Sequence, residues 1–154
     1  MTGYKRPVSV LAVIHTKDLR ILLLERALFP GYWQSVTGSL EENESPFEAA
    51  RREVFEETGI AAPARDFRDW RITNVFGIHM LWRHRYAPDV EYNTEHVYSL
   101  EAARESSVRL APGEHSDYCW LPWEEAVDKC FSWSNRDAIQ LIAREVMMKK
   151  ERNP

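Results

Sequence analysis

Cysteine is scarce in this chain, with Cys119 and Cys130 its two examples in 154 residues. Two thiols without a C-x-x-C spacing exclude a disulfide framework and point to a reducing compartment, so a cytoplasmic protein is expected. Histidine offers no metal pattern. His15, His79, His84, His96 and His115 include no pair at i, i+4 spacing, so no zinc-binding helix is indicated. No apolar run approaches the roughly 20 residues that span a bilayer, which predicts a soluble protein with no membrane partner. Lys5 and Arg6 followed by "PVSVLAVI" superficially resemble a secretory leader. The run is short, alternates like a strand and meets no small-x-small site before "HTKD", so it is read as structure.

An excess of positive charge is also missing. The 20 basic and 24 acidic residues are interspersed and leave a net charge of −4. That balance gives no electrostatic footprint for nucleic acid, and an anionic substrate would need a local cation. Low-complexity tracts and internal repeats are absent. With 44% hydrophobic residues, the composition is that of an ordinary globular protein. A chain of this length buries roughly 70% of its unfolded surface, and one domain over residues 1–154 is expected.

What the chain does contain begins with two β-rich runs, "VSVLAVIH" (8–15) and "RILLLER" (20–26), on either side of the turn-like "TKD". The stretch 29–40 mixes turn residues with a short strand. A helix then follows, with Ser45 as N-cap, Pro46 at the first helical position, Glu48 in capping-box position and Gly59 as the C′ residue. A loop is predicted at 61–66, and strands near 67–73, 76–86, 94–100 and 117–121. Two helices close the chain, one over 123–129 and one capped by Ser134. This order predicts a mixed α/β domain.

The helix after Ser45 carries the chemistry. Glu53 and Glu57 lie about 40° apart on successive turns, with Glu56 about 60° to one side. Phe47, Ala50 and Val54 form a separate apolar stripe that can face a core. Neighbouring carboxylates repel, and a multivalent cation reverses that cost. Hard oxygen donors select Mg²⁺, Mn²⁺ or Ca²⁺, and Mg²⁺ keeps waters and takes substrate phosphates as further ligands. The alternative is a solvated acidic face steadied by a Glu48–Arg52 pair. The longer pattern decides between them. Gly38, Glu44, Arg52, Glu53, Glu56, Glu57 and Gly59 stand at fixed spacings, with aliphatics at Val54 and Ile60. Average residue usage would match those seven positions at a given start with a chance on the order of 10⁻⁸.

The segment from Gly38 to Ile60 resembles the box of the Nudix hydrolase family, G-x5-E-x7-R-E-U-x-E-E-x-G-U with U a bulky aliphatic, and matches it at every position. The resemblance implies a Nudix α/β/α sandwich with a mixed sheet. It further implies Mg²⁺-dependent hydrolysis of a diphosphate linkage, with Mn²⁺ as a possible substitute. By position, Glu53 and Glu57 become metal ligands, Glu56 a ligand or water-activating base, and Arg52 the orienter of a carboxylate. Glu114, in the loop "APGEHSDY", stands where many Nudix enzymes bring a late loop over the metals.

The box opens with "TGS" where many members have P-G-G. The segments "WQSVTGSLEE", "RHRYAP", "NTEH" and "WSNRDAI" are similar to those of the bacterial dihydroneopterin triphosphate diphosphatases, a branch of the same family. That likeness implies release of pyrophosphate from a small-molecule triphosphate in folate synthesis. Lys5, Arg26 and Thr37 are then phosphate-side candidates; Ser132, Trp133 and Asn135 are pterin-side or loop candidates. Trp33 and Phe76 are further stacking candidates for which core packing is the plainer role, and His84 and Arg85 fit either surface or site. A broad (d)NTP pyrophosphohydrolase and a silent nucleotide-sensing module are the alternatives, and the intact Glu53, Glu56 and Glu57 disfavour the second. Oligomeric state is not encoded in any of these signals.

Overall fold

The structure, a computed structural model describing residues 3–153, is built on a seven-stranded mixed sheet. Its strands are β1 (Val8–His15), β2 (Arg20–Arg26), β3 (Trp33–Gln34), β4 (Val36–Ser39), β5 (Phe67–Gly77), β6 (Tyr92–Glu101) and β7 (His115–Pro122). The main path runs β3-β2-β1-β6-β5, with β4 added to β1 and β7 to β2. The β1–β6 pair is parallel and the other pairings are antiparallel.

β1 is buried on both faces, and its side chains alternate between two cores as the period of two requires. Val10, Ala12 and Ile14 meet α1 (Pro46–Thr58) through Ala49, Ala50 and Val54. Leu11 and Val13 face the opposite layer, where α2 (Trp123–Lys129) contributes Ala126 and α3 (Trp133–Arg152) contributes Ile139 and Ile142. Helices cover both faces, giving the α/β/α sandwich.

One irregularity of the sheet creates room for a site. His15, at the end of β1, registers with Ile21 of β2. Nearer the start of the strand, Ser9–Ala12 register instead with Ser39–Val36 of β4. β2 has by then turned to β3 and β7. The sheet therefore forks, and a cavity of about 1100 Å³ opens over the forked end.

The helix signals around α1 are realised. Ser45 Oγ accepts from the Glu48 backbone N–H at 3.2 Å, and Gly59 adopts the left-handed conformation (φ 76°) while its N–H reaches Phe55 O at 2.8 Å. Two expectations are corrected. The strand predicted for 76–86 stops at Gly77, and Met80–Arg85 form a 3₁₀ helix. Here His79 Nδ1 accepts from the Leu81 N–H, and Trp82 packs among Phe29, Tyr32 and Phe131, a cluster that an extended chain could not fill. The last helix is capped by Ser132, whose Oγ accepts from Asn135 N–H at 3.2 Å, and not by Ser134, which is buried within the first turn. No helix of the described residues is long and apolar enough to cross a membrane. Cys119 and Cys130 are both free.

Candidate active site

α1 delivers its glutamates to the cavity rim through a clamp built from the other box residues. Arg52 Nε and Nη2 donate to the two Glu44 oxygens at 2.7 and 2.8 Å, and Nη2 also donates to Ser39 O at 3.1 Å. Nη1 donates to Glu53 at 2.8 Å and to Glu56 at 3.1 Å. The expected alternative partner, Glu48, instead belongs to the cap with Ser45. The Arg52 guanidinium holds the Glu44 carboxyl below the usual range, and in return Glu44 raises the Arg52 pKa further. Gly38 explains itself by space, because a Cβ there would collide with the Glu53 carboxylate.

Glu57 differs from the reading of an acidic face turned away from the core, because it is only 2% exposed. The cause lies outside the helix, in β4 and β7, which roof the residue. Thr37 donates its backbone N–H to the carboxyl, and His115 Nε2 stands 3.6 Å from Oε1. Burial, followed by Glu53 and Glu114, pushes the Glu57 pKa well up, and burial raises Glu53 as well. His115 is driven the other way, to about 4, by burial and by Arg26. Both partners of the Glu57–His115 contact thus resist charge, and it is a polar contact rather than an ion pair.

This acidic pair fits a divalent cation. Two adjacent carboxyls whose pKa values are raised first by burial, with Glu53 adding to the rise at Glu57, are the donor set a hard cation stabilises. Glu57 Oε1 is buried and has no hydrogen-bond partner. Among the described residues no three His, Cys, Asp or Glu side chains converge as a preformed cage. The site is open, leaving positions for water and phosphate oxygens. Glu56 is half-exposed at 52% and lies outside the cavity lining. Glu114 lines the cavity and is close enough to raise the Glu57 pKa.

Opposite the carboxylates the cavity wall is basic. Lys5, Arg26 and Arg85 line it, and each lowers or is lowered by the others. Lys5 is exposed as a residue, yet its ammonium is desolvated enough for its pKa to fall, with Glu53 and Glu114 opposing. Arg26 is fixed over the Trp82 ring at 4.7 Å and donates to Gln34 Oε1 at 3.3 Å. Arg85 comes from the 3₁₀ helix and joins the site; neighbouring His84 does not line it. Thr37 lines the cavity, but its hydroxyl donates to Val10 O at 2.9 Å.

Ser132, Trp133 and Asn135 also line the cavity. Trp133 meets Phe76 edge-to-face at 6.3 Å. Asn135 uses its amide to tie α3 to the sheet, accepting from Ser35 N–H at 2.8 Å and donating to Ser35 Oγ at 3.0 Å. Trp33 packs in the α2–α3 core with Lys129 4.7 Å above its ring, away from the cavity. Sequence reasoning gave no role to Asn93, Glu95, Trp82 or His115, although Asn93 and Glu95 lie in the "NTEH" segment quoted for its resemblance. Glu95 carried one signal, a carboxylate inside a strand whose neighbours alternate into a core. The five buried side-chain atoms without a partner among the described residues are Glu57 Oε1, Trp82 Nε1, Asn93 Oδ1, Glu95 Oε1 and His115 Nδ1. All five residues line this cavity. Each such atom costs about 1–3 kcal/mol, so their concentration in one place marks a site that a polar ligand completes.

Comparison with known proteins agrees with this architecture. The NUDIX domain model matches residues 5–142. The chain is 45% identical over 140 residues to the dihydroneopterin triphosphate diphosphatase of Escherichia coli, covering 89% of this chain and 92% of that protein. It is 38% identical over 143 residues to the Haemophilus influenzae protein of the same name, covering 91% and 89%. The solved structure of the E. coli dihydroneopterin triphosphate pyrophosphohydrolase superposes with a TM-score of 0.84 at 44% identity, covering 91% of this chain and 97% of that one. With the box clamped as described and the domain match running almost end to end, the chain belongs to the Nudix hydrolase family.

Proposed function

We propose that this Nudix hydrolase, acting as one domain in the cytoplasm, converts dihydroneopterin triphosphate to dihydroneopterin monophosphate and pyrophosphate with Mg²⁺, for which Mn²⁺ can substitute. The observation that carries the reading is the cavity that joins a buried carboxyl pair and a basic wall to an aromatic end with unpaired polar atoms. The chain's 45% identity to a diphosphatase named for that substrate supports it. Nudix hydrolases in general use divalent metal ions.

In this reading Glu53 and Glu57 hold the cation and Glu114 adds a carboxylate from its loop. A bound divalent ion neutralises phosphate charge and acidifies a water for in-line attack on phosphorus. Arg52 holds the Glu53 carboxylate in the space that Gly38 leaves open; Glu56, which takes the role of ligand or water-activating base by its position in the box alone, rests outside the cavity lining on Arg52. Lys5, Arg26 and Arg85 neutralise the remaining phosphate oxygens, which lets a net-acidic protein hold a polyanion. Trp133 and Phe76 offer the ring an apolar wall, and Ser132 and Asn135 fix the start of α3 behind it.

A kinetic panel of dihydroneopterin triphosphate, the eight common (d)NTPs and dinucleoside polyphosphates tests the proposal. Dihydroneopterin triphosphate should show the highest kcat/KM, with purine dNTPs slower but measurable. A dNTP preferred tenfold, about 1.4 kcal/mol of transition-state binding, would overturn the assignment in favour of nucleotide cleansing. No hydrolysis under Mg²⁺ or Mn²⁺ would point to a silent module.

A further inference from the structure

Glu95 has no part in the metal or phosphate chemistry, yet it is a carboxylate that is 5% exposed in the middle of a sheet. It sits on β6 opposite Ser9 of β1 and Asn74 of β5. Residues two apart on a strand share a face, so Asn93, Glu95 and Val97 point the same way. Val97 joins Leu11, Ile139 and Ile142 in the α3-side core. One step along, the same face turns polar and borders the cavity at Glu95 and Asn93. The sheet face that is core at one end is therefore binding wall at the other.

The surroundings of Glu95 hold the carboxylate without satisfying it. The side chains of Ser134 and Asn74 hydrogen-bond to it, whereas Oε1 has no partner. Asn93, itself 4% exposed, donates to Ser9 Oγ at 2.7 Å and leaves its Oδ1 unpaired. Among the described residues no Lys or Arg is a partner of Glu95. Burial raises its pKa, opposed by Ser134 and Asn74. Two buried acceptors without a partner among the described residues, on side chains that line the cavity, call for N–H groups on the ligand.

Ring chemistry narrows which ligand supplies them. A 2-amino-4-oxopyrimidine edge, shared by pterins and guanine, presents a ring N–H and an exocyclic NH₂ side by side, a match for a carboxylate. Adenine and cytosine pair one donor with an acceptor at the corresponding edge, and uracil or thymine flanks one N–H with two carbonyls. Those edges would set a lone pair against Glu95. We propose that Glu95, flanked by Asn93, is the residue that selects the substrate ring by accepting the paired N–H groups of a 2-amino-4-oxopyrimidine edge. This rests on the reading of the cavity as a triphosphate hydrolase site with the ring at the Trp133–Phe76 end.

The test is Glu95→Gln, with Glu95→Leu as an apolar second variant that leaves no amide to satisfy. Dihydroneopterin triphosphate, GTP and ATP are compared, alongside tryptophan-fluorescence titration with neopterin, which carries no phosphate and needs no metal. In Glu95→Gln, kcat/KM should fall about 30-fold for the pterin and for GTP, about 2 kcal/mol, while ATP stays within threefold and the melting temperature within a few degrees. Neopterin affinity should fall in parallel in both variants. A uniform loss across all three substrates, or an unchanged ratio of pterin to ATP, would overturn the assignment of Glu95. If the unmodified enzyme itself prefers ATP, the ring contact fails; if it turns over nothing while still binding neopterin through Glu95, the failure lies with the hydrolase reading and not with the ring contact. Loss of neopterin binding in neither variant sinks the ring contact alone.

Discussion

Replacing Glu57 by Gln should separate metal affinity from folding. In the absence of metal the wild-type side chain is buried with Oε1 unpaired, its charge disfavoured by burial and by Glu53. A neutral isostere removes that electrostatic conflict and can donate to Glu53. Its own polar atoms still need partners, at about 1 kcal/mol or so each way. The metal-free variant is therefore expected to melt within about 3 °C of wild type. With metal the two should diverge. A cation at about 100 times its dissociation constant stabilises the folded wild type by about 2.7 kcal/mol, a rise of about 5–10 °C for a chain of this size. If the substitution weakens binding about 100-fold, the same concentration stabilises the variant by only about 0.4 kcal/mol. Turnover should fall about 10³-fold, since several kcal/mol of transition-state charge stabilisation depend on the held cation. Differential scanning fluorimetry in EDTA and in graded Mg²⁺, beside a pyrophosphate-release assay, measures both. Near-normal turnover at saturating Mg²⁺, or a full thermal shift in the variant, would refute the role of Glu57 as a ligand. A metal-free loss of more than about 2 kcal/mol would refute the account of its burial.

Gly38→Ala should keep the fold at a cost of about 1 kcal/mol but displace the Glu53 carboxylate that Arg52 holds, reducing kcat about 100-fold; unchanged kcat would show that Glu53 has slack. Glu114→Ala should impair catalysis and raise the Mg²⁺ requirement much more than it affects melting, because the residue is exposed at the cavity rim, and unchanged metal dependence would remove it from the site. Glu44→Gln tests the clamp through pH. Because Arg52 depresses the folded-state pKa of Glu44, its contribution is complete above the ordinary glutamate value and lost as pH falls through the folded one. The stability gap between wild type and variant, about 2 kcal/mol at pH 7, should narrow once pH falls below the ordinary glutamate value and close as the folded-state carboxyl takes up its proton, in urea titrations. A gap independent of pH would mean that packing, not charge, links the two side chains.

What the sequence determined by itself was whatever is written at short range. The capping box at Ser45–Glu48, the left-handed glycine at 59, the β-rich runs of β1 and β2 and the apolar stripe of α1 all depend on neighbours within a few residues, and all appear as read. The box spacing likewise identified the glutamate cluster and the family before any contact was known. Tertiary structure decided how those glutamates differ. Glu53, Glu56 and Glu57 look equivalent on one helix edge, and only the roof of β4 and His115 makes Glu57 a buried ligand candidate while Glu56 stays half-exposed. The strand expected at 76–86 failed for the same reason. Trp82 finds Phe29, Tyr32 and Phe131, partners about fifty residues away on either side. That packing curls the segment into a 3₁₀ helix and brings Arg85 to the phosphate side. Glu95 shows the limit most clearly. In sequence it is one polar residue in an alternating strand, and it becomes an unpaired buried acceptor only because β1, β5 and α3 close around it. Local propensity places side chains on a face; the fork in the sheet decides which of those faces is core and which is pocket.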